Sequence, residues 1–309
     1  MTKVFIDGSS GTTGLKIRDR LAQRKDIELL ILPEELRKDE GAKKAAANSA
    51  DVVFLCLPDA AAQQDAALVE NPDTVVIDTS TAHRTSEGWT YGFPELHAQR
   101  EKVKKAKRIA NPGCHASGFI ALVAPLVEKR VISRKAVLTC LSITGYSGGG
   151  KSMIARYEAP AKERDALLEG PRLYGLAQGH KHIPEMMKYT GLENTPVFCP
   201  VVADFYSGME VIVTITRAQT MTTAAEIEDL YSRYYTRRLV HFASRASEDG
   251  FLSAAAYSGR DDMEITVQGS EDRIVLISRF DNLGKGASGA AIQNMNLALG
   301  MDEGYGLVY

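Results

Sequence analysis

The sequence is short of the features that would place a chain outside the cell, in a membrane or on a nucleic acid. Its acidic and basic residues nearly cancel, leaving a formal net charge of −2, so no nucleic-acid or membrane-surface partner is expected. The longest apolar runs are too short to span a bilayer, and the opening residues do not read as a signal peptide. Only four cysteines occur in 309 residues. They lie far apart, with no CxxC or Cys/His ligand spacing, which argues against both a disulfide framework and a metal site. Cys56, Cys140 and Cys199 fall in strand-like apolar runs and read as core. What remains is ordinary globular material, 44% hydrophobic and 25% charged, long enough for two domains. A soluble, cytoplasmic chain is the expectation.

The fourth cysteine stands apart. Asn111-Pro112-Gly113-Cys114-His115-Ala116-Ser117-Gly118 follows a basic, polar stretch and precedes an apolar helical pattern of Phe119, Ile120, Leu122, Val123, Leu126 and Val127. Pro112-Gly113 makes a turn, which puts Cys114 in the first turn of that helix. A thiol there meets backbone N–H groups and the positive end of the helix dipole, and both favour the thiolate that attacks carbonyl carbon. The same N–H groups suit an oxyanion. A structural cysteine is the commoner role for a free thiol, but the polar neighbours argue for a nucleophile.

The amino-terminal third reads as a dinucleotide site. Val4-Phe5-Ile6 runs straight into Gly8-Ser9-Ser10-Gly11-Thr12-Thr13-Gly14, and a helix with Leu15, Ile17 and Leu21 follows. Strand, glycine turn and helix are the context in which glycines let backbone approach a pyrophosphate at a helix N-terminus. The commoner G-x-G-x-x-G spacing is missing, and a ligand-free tight turn would need the same glycines. Also missing is an acidic residue at the tip of the second strand, 27–32, where Pro33 stands. Arg37 and Lys38 follow, and Ser10, Thr12 and Thr13 supply hydroxyls, a pattern suited to the 2′-phosphate of NADP. Strands at 51–57 and 74–78 flank a helix at 60–69, as in a doubly wound parallel sheet. Loops at the carboxyl ends of such strands carry ligand contacts, so Leu57-Pro58, Ser80 and Arg84 become candidates for lining a cofactor and substrate cleft.

The middle of the chain changes character. A strand at 137–144 leads into Gly145-Tyr146-Ser147-Gly148-Gly149-Gly150-Lys151, which lacks the spacing of a phosphate-binding P-loop. It reads as a flexible loop over an active site, with Ser147 and Lys151 as substrate contacts, and 152–168 reads as helix. His180 and His182 lie in the segment before a helix opened by Pro184-Glu185. Two apart in an extended segment, they face one side, and either suits general acid–base work beside Cys114. Residues 196–205 and 209–216 look like an antiparallel pair, 222–237 like a helix, and 263–267 and 273–280 like further strands. Together these suggest a mixed or antiparallel sheet with helices on one face, its other face a subunit interface. The tail has a glycine-rich turn at 281–289 and a small-residue helix at 290–299 with Ile292, Met295 and Leu299 on one stripe. Asn282, before the turn, is placed to bond a nicotinamide carboxamide.

Taken together, Gly8-x-x-Gly11-x-x-Gly14, Asn111-Pro-Gly-Cys114, His180-Lys-His182-x-Pro-Glu185, Asn282-x-Gly284-Lys285-Gly286-Ala287 and Gln293-Asn294-Met295-Asn296 resemble N-acetyl-γ-glutamyl-phosphate reductases of arginine biosynthesis. The length suits the shorter form of that family, which belongs to the aspartate-semialdehyde dehydrogenase-like superfamily. The resemblance implies an α/β fold: a Rossmann domain (1–113 and 284–309) completed by the C-terminal helix, and an α+β catalytic and oligomerisation domain (114–283) with a mixed or antiparallel sheet. It implies Cys114 as acyl-accepting nucleophile and His180 as acid/base. His182 and Arg84 would contact an acyl phosphate substrate, and Asn282, Gly284, Lys285 and Gly286 would meet the nicotinamide end of NADP. It also implies a homo-oligomer, tetramer or dimer. One stretch departs: 78–84 reads Asp-Thr-Ser-Thr-Ala-His-Arg where the longer form usually has Asp-Leu-Ser-Ala-Asp-Phe-Arg, with Arg84 kept in register. The rival readings are a semialdehyde dehydrogenase for another acyl group, a Cys/His hydrolase, and a dinucleotide-sensing regulator without turnover.

Overall fold

The first strand, β1 (Thr2–Asp7), buries Val4, Phe5, Ile6 and Asp7, a continuous run that only a sheet covered on both faces accommodates. The structure, a computed structural model, describes residues 1–220 and 222–309, and these divide into two units. Met1–Gly113 and Ala287–Leu307 form one, Cys114–Gly286 and Val308–Tyr309 the other.

In the first unit α1 (Thr12–Leu21), β2 (Ile27–Leu30), α2 (Glu40–Ser49), β3 (Val52–Leu55), α3 (Asp59–Ala67), β4 (Val75–Asp78), β5 (Thr90–Tyr91), α4 (Gln99–Lys105) and β6 (Arg108–Ala110) follow β1. The strands form one sheet in the order β2-β1-β3-β4-β6-β5, every pair parallel. Helices cover both faces. Ile17 and Leu21 of α1, Val103 of α4, and Ile292 and Met295 of the helix Gly289–Ala298 pack on Val4, Ile6, Val52, Phe54 and Ile77. Ala47 and Ala62 pack on Phe5, Val53, Leu55 and Val76. The C-terminal helix is tied in by buried amides: Asn294 Nδ2 donates to Gly92 O (3.0 Å) and Asn111 Oδ1 (3.1 Å), and Asn296 Oδ1 accepts from Arg24 (2.7 Å). This is the α/β, Rossmann-like half of the fold.

The second unit opens on α5 (Cys114–Glu128) and continues through β7 (Thr139–Gly145), α6 (Gly150–Tyr157), β8 (Arg172–Leu173), α7 (Ile183–Thr190), β9 (Val197–Ala203), β10 (Met209–Thr216), α8 (Ala224–Tyr234), β11 (Thr236–Arg237), β12 (Val240–Phe242), β13 (Met263–Gly269) and β14 (Arg273–Phe280). Its sheet runs β11-β12-β13-β14-β10-β7-β9-β8 and is mixed, with β12–β13 and β7–β9 parallel and the remaining pairs antiparallel. α5 is buried along nearly its whole length. At Gly118 an added Cβ would meet Val211 Cγ2 at 2.5 Å, so helix and sheet approach closely there. Pro125 lies inside α5 and has no N–H to give the Ala121 carbonyl one turn back. Tyr235 supplies the missing donor, its hydroxyl 2.6 Å from Ala121 O.

Several expectations are corrected here. The stretches 196–205 and 209–216 do not pair with each other, because β7 lies between β9 and β10. The Tyr206-Ser207-Gly208 turn signal is local, whereas β7 pairs with the whole of β9 in parallel and with Met209–Thr214 of β10 antiparallel. The glycine run at 145–151 is not an open loop: Tyr146–Gly149 is a 3-10 turn leading directly into α6. The helix expected over 152–168 ends at Tyr157, since Pro160 restricts the residue before it and breaks the ladder. The glycine-rich turn of the tail winds as a π-helical turn, Gly284–Ser288. Of the cysteines read as core, Cys140 is buried but Cys56 and Cys199 are only partly so. Cys56 lies just past the end of β3, and the alternation of β9 buries Phe198, Pro200 and Val202 instead of Cys199. No helix among the described residues is long and apolar enough to cross a membrane.

Candidate active site and cofactor cleft

The first unit carries a cleft of about 570 Å³ beside the glycine turn, within the usual size range for small-ligand sites. Gly8 adopts φ +81°, and a Cβ on it would stand 2.2 Å from Cys56 O. A Cβ on Gly14 would stand 2.4 Å from Gly8 O. The turn therefore folds back on β3 and on itself, closed by Gly11 N–H donating to Gly8 O (3.0 Å). Gly11 also precedes α1 as its N-cap without a capping side chain, so no side chain occupies the first-turn amides that an anion site would use. Gly8, Ser9 and Ser10 line one wall of the cleft, and Arg18, Arg37, Lys38 and Lys43 bring positive charge to it. Thr12 and Thr13 stand in the first turn of α1, outside that lining. Arg37 forms an exposed ion pair with Glu34 (2.6 Å). Asp7, Glu34 and Glu35 also line the cleft, so the fit to a phosphorylated dinucleotide rests on the backbone space at the glycines together with Arg18, Arg37 and Lys38.

Lys43 was not singled out by the sequence, because nothing local marks one lysine of α2 over its neighbours. Its Nζ bridges Asp7 (3.1 Å) and Asp65 (2.7 Å). Burial, helped by the nearby Asp65 and opposed by Lys43, pushes the Asp7 carboxyl up to about 6.

The loop 78–84 is tightly braced. Asp78, fully buried, accepts from Ser80 N (2.8 Å) and Ser80 Oγ (2.8 Å) and lies 2.6 Å from His83 Nδ1. His83 in turn stacks on Trp89 at 3.9 Å. Arg84 is buried, its Nε donating to Asn111 O (2.9 Å) and its Nη2 to Thr79 O (3.1 Å). Ser80 and Arg84 thus build this loop and its link to Asn111, and neither lines the 570 Å³ cleft.

The second unit gathers the reactive side chains. Cys114 is the first residue of α5 and partly exposed; an added Cβ on Gly286 would come within 2.9 Å of its Cβ, so that glycine keeps space beside it. His115, next in the helix, is buried, with Nδ1 2.7 Å from Ser142 Oγ and Nε2 2.6 Å from Tyr174 Oη. Burial, with His180 and Lys181 adding repulsion, pushes His115 down to about 3, so its ring is neutral at physiological pH. The rings of His180 and His182 each lie 5.5 Å from His115 and 4.7 Å from one another. The His182 backbone N–H donates to His180 Nδ1 (3.1 Å), so a neutral His180 carries its proton on Nε2. Tyr174 lies 6.0 Å from the His180 ring. Burial, reinforced by the Cys114 charge, raises its hydroxyl well above the ordinary tyrosine range, so it remains a donor.

His180 and His182 thus share one ring cluster with His115, Tyr174 and Phe198, and Cys114 adjoins it as the chain neighbour of His115. His115, Tyr174 and Phe198 escaped the sequence reading. Adjacency to Cys114 was a signal for His115, whereas Tyr174, just past β8, and Phe198, in β9, had none. Ser147 and Asn282 are buried together, Asn282 Nδ2 donating to Ser147 Oγ (3.0 Å) while its Oδ1 accepts from Gly208 N (2.9 Å). Gly284 passes so near Arg260 that a Cβ would stand 1.9 Å from its carbonyl oxygen, and Lys285 is buried. Lys151 is exposed on α6. Among the described residues no group of three or more His, Cys, Asp or Glu gathers as a metal site.

Residues 32–106 match the family described as Semialdehyde dehydrogenase, NAD binding domain, and residues 114–282 that described as Semialdehyde dehydrogenase, dimerisation domain. N-acetyl-gamma-glutamyl-phosphate reductase 2 of Nostoc sp. is 41% identical over 99% of both chains. The chain belongs to the N-acetyl-γ-glutamyl-phosphate reductase family. A second member, the N-acetyl-gamma-glutamyl-phosphate reductase of Chelativorans sp., is 42% identical over 96% of this chain and 98% of its own. Among solved structures, aspartate semialdehyde dehydrogenase II from Vibrio cholerae has the same fold, with a TM-score of 0.73 at 15% identity over 96% of this chain and 98% of that one.

Proposed function

We propose that this chain reduces N-acetyl-γ-glutamyl phosphate to the semialdehyde with NADPH, releasing phosphate, through a thioester on Cys114. The observation that carries the reading is Cys114 at the head of α5 beside His115, against whose ring His180 and His182 both pack at 5.5 Å. The Cys114 thiolate attacks the acyl carbon, the C–O bond to phosphate breaks, and the leaving phosphate takes up the one proton the overall reaction consumes. A thioester accepts hydride far better than a carboxylate, which is what the covalent step achieves. NADPH, held along Gly8, Ser10, Gly11, Thr12, Thr13 and Gly14 with Arg37 at its 2′-phosphate, supplies that hydride. His180, with its proton on Nε2, donates to the acyl oxygen as charge develops there. Collapse to the aldehyde expels the Cys114 thiolate unchanged.

His182, Ser147 and Arg84 complete the substrate side in this reading, and Ser80, Asn282, Gly284, Lys285 and Gly286 the cofactor side. Residues 1–113 with 284–309 serve as the dinucleotide domain, and 114–283 as the catalytic and oligomerisation domain. The chain works in the cytoplasm as a homo-oligomer, a dimer or a tetramer. Cys114→Ala tests the core of the proposal. Phosphate-dependent NADP reduction with N-acetylglutamate semialdehyde should drop at least about 10⁴-fold, while NADPH fluorescence still reports binding. Retained turnover, or preference for aspartate semialdehyde in the unsubstituted protein, refutes it.

A further inference from the structure

Lys43 reaches the wall of the cofactor cleft from α2 with two carboxylates on its one ammonium. Asp7 is the last residue of β1, directly before the glycine turn, and Asp65 comes from α3. Their contacts with Lys43 Nζ are 3.1 and 2.7 Å, and none of the three side chains is more than 15% exposed. Two acids against one base leave one negative charge over, in a place that little water reaches. Asp7 is the member that carries it. Its contact with Lys43 is the longer, its side chain is the less exposed, 9% against 14%, and it lines the cleft whereas Asp65 does not. Lys43 keeps Asp65 as its counter-ion whatever becomes of Asp7. The phosphates that a dinucleotide carries are anions whose oxygens accept hydrogen bonds. An ionised Asp7 repels them and has no hydrogen to offer, whereas a neutral carboxyl donates one.

We infer that Asp7 meets the bound dinucleotide as a neutral carboxylic acid, giving up its charge as the cofactor enters while Lys43 stays charged against Asp65. The inference rests on the proposed NADP site in this cleft. Without ligand, Asp7 already sits at about 6, because burial, helped by Asp65, outweighs Lys43. A ligand that fills the cleft removes the remaining water from the carboxyl. Its phosphates also offset Arg18, Arg37 and Lys38, the cleft cations that favour the carboxylate. Both effects act in one direction, so binding near neutral pH takes up a proton. The other titratable groups around Asp7 are Glu34 and Glu35, exposed at the cleft, and Cys56 past β3, whose thiol desolvation keeps protonated. They are the same in both proteins compared below.

Isothermal titration of the protein with NADP at about pH 7, in buffers of differing ionisation enthalpy, counts the protons without turnover. Asp7→Asn has nearly the same shape and is neutral throughout. The wild type should take up at least about half a proton more per cofactor than Asp7→Asn. The 2′-phosphate, whose second ionisation lies near about 6, releases protons on binding, equally in both proteins, so the difference isolates Asp7. The wild-type Kd for NADP should rise roughly tenfold between about pH 6 and pH 8, while that of Asp7→Asn stays level or falls. A merely structural Asp7 would change affinity without changing the proton count. Equal counts in the two proteins overturn the inference and leave the cofactor site standing. Should Asp7→Asn fail to fold, a wild-type count at or below zero overturns it without the variant. Absence of saturable NADP binding by the wild type overturns the inference and the proposed cofactor site together.

Discussion

The glycine turn at 8–14 and the cluster around Cys114 prepare for their ligands by opposite means. In the turn, side chains are absent where they matter: a Cβ at Gly8 or Gly14 would fall within 2.4 Å of a carbonyl oxygen, and backbone N–H groups are what the site offers. In the cluster, backbone serves mainly to aim side chains, as when the His182 N–H sets which nitrogen of His180 carries the proton. The difference teaches where each region is fragile. A site made of backbone fails by steric damage to the fold, and a site made of side chains fails by loss of a proton or a direction while the fold survives.

The comparison breaks most sharply at Gly8. Gly8→Ala puts a Cβ 2.2 Å from Cys56 O at φ +81°, combining a clash against backbone with left-handed strain. Urea unfolding should show a loss of roughly 5 kcal/mol, or no folded protein at all; a loss below about 1 kcal/mol would mean the turn has room and the contrast is false. A gentler test uses acid. Folded His115 titrates near 3 instead of its ordinary 6.5, so between those values the unfolded chain binds the extra proton. Stability is therefore full above 6.5 and declines as pH falls toward 3, by roughly 3–4 kcal/mol across the window. His115→Gln should lack this component, and parallel stability curves for the two proteins would count against it. The smallest effect is expected at the rim of the cleft. Arg37 has an exposed ion pair with Glu34 that contributes little, which leaves its charge for a 2′-phosphate. Arg37→Ala should raise KM for NADP about tenfold and leave that for NAD unchanged, and equal changes for both cofactors would remove Arg37 from the 2′-phosphate site.

Legibility in the sequence followed sequence distance. β1, the glycine turn and α1 span residues 2–21, and their conformation is dictated by neighbours in the chain, so strand, turn and helix could be read directly. The placement of Cys114 at the start of α5 was legible for the same reason, since Pro112-Gly113 ends one element and opens the next. The pairing of β9 and β10 was misread because a turn signal three residues long competes with a partner, β7, that lies more than fifty residues away in the chain. The glycine run at 145–151 misled in another way. Glycine weakens helices, yet the 3-10 turn there is held by Tyr146 and Ser147 N–H groups donating to Phe205 and Tyr206 carbonyls.

By itself, then, the sequence determined the kinds of element and the family: alternating strands and helices, a backbone-lined turn, and a cysteine and two histidines of recognisable spacing. Only the tertiary structure decided which strands are neighbours and which way the protons point. Both depend on contacts between residues remote in the chain, such as Ser142, His115 and Tyr174, and a hydrogen bond has a direction only when every group around it has been counted.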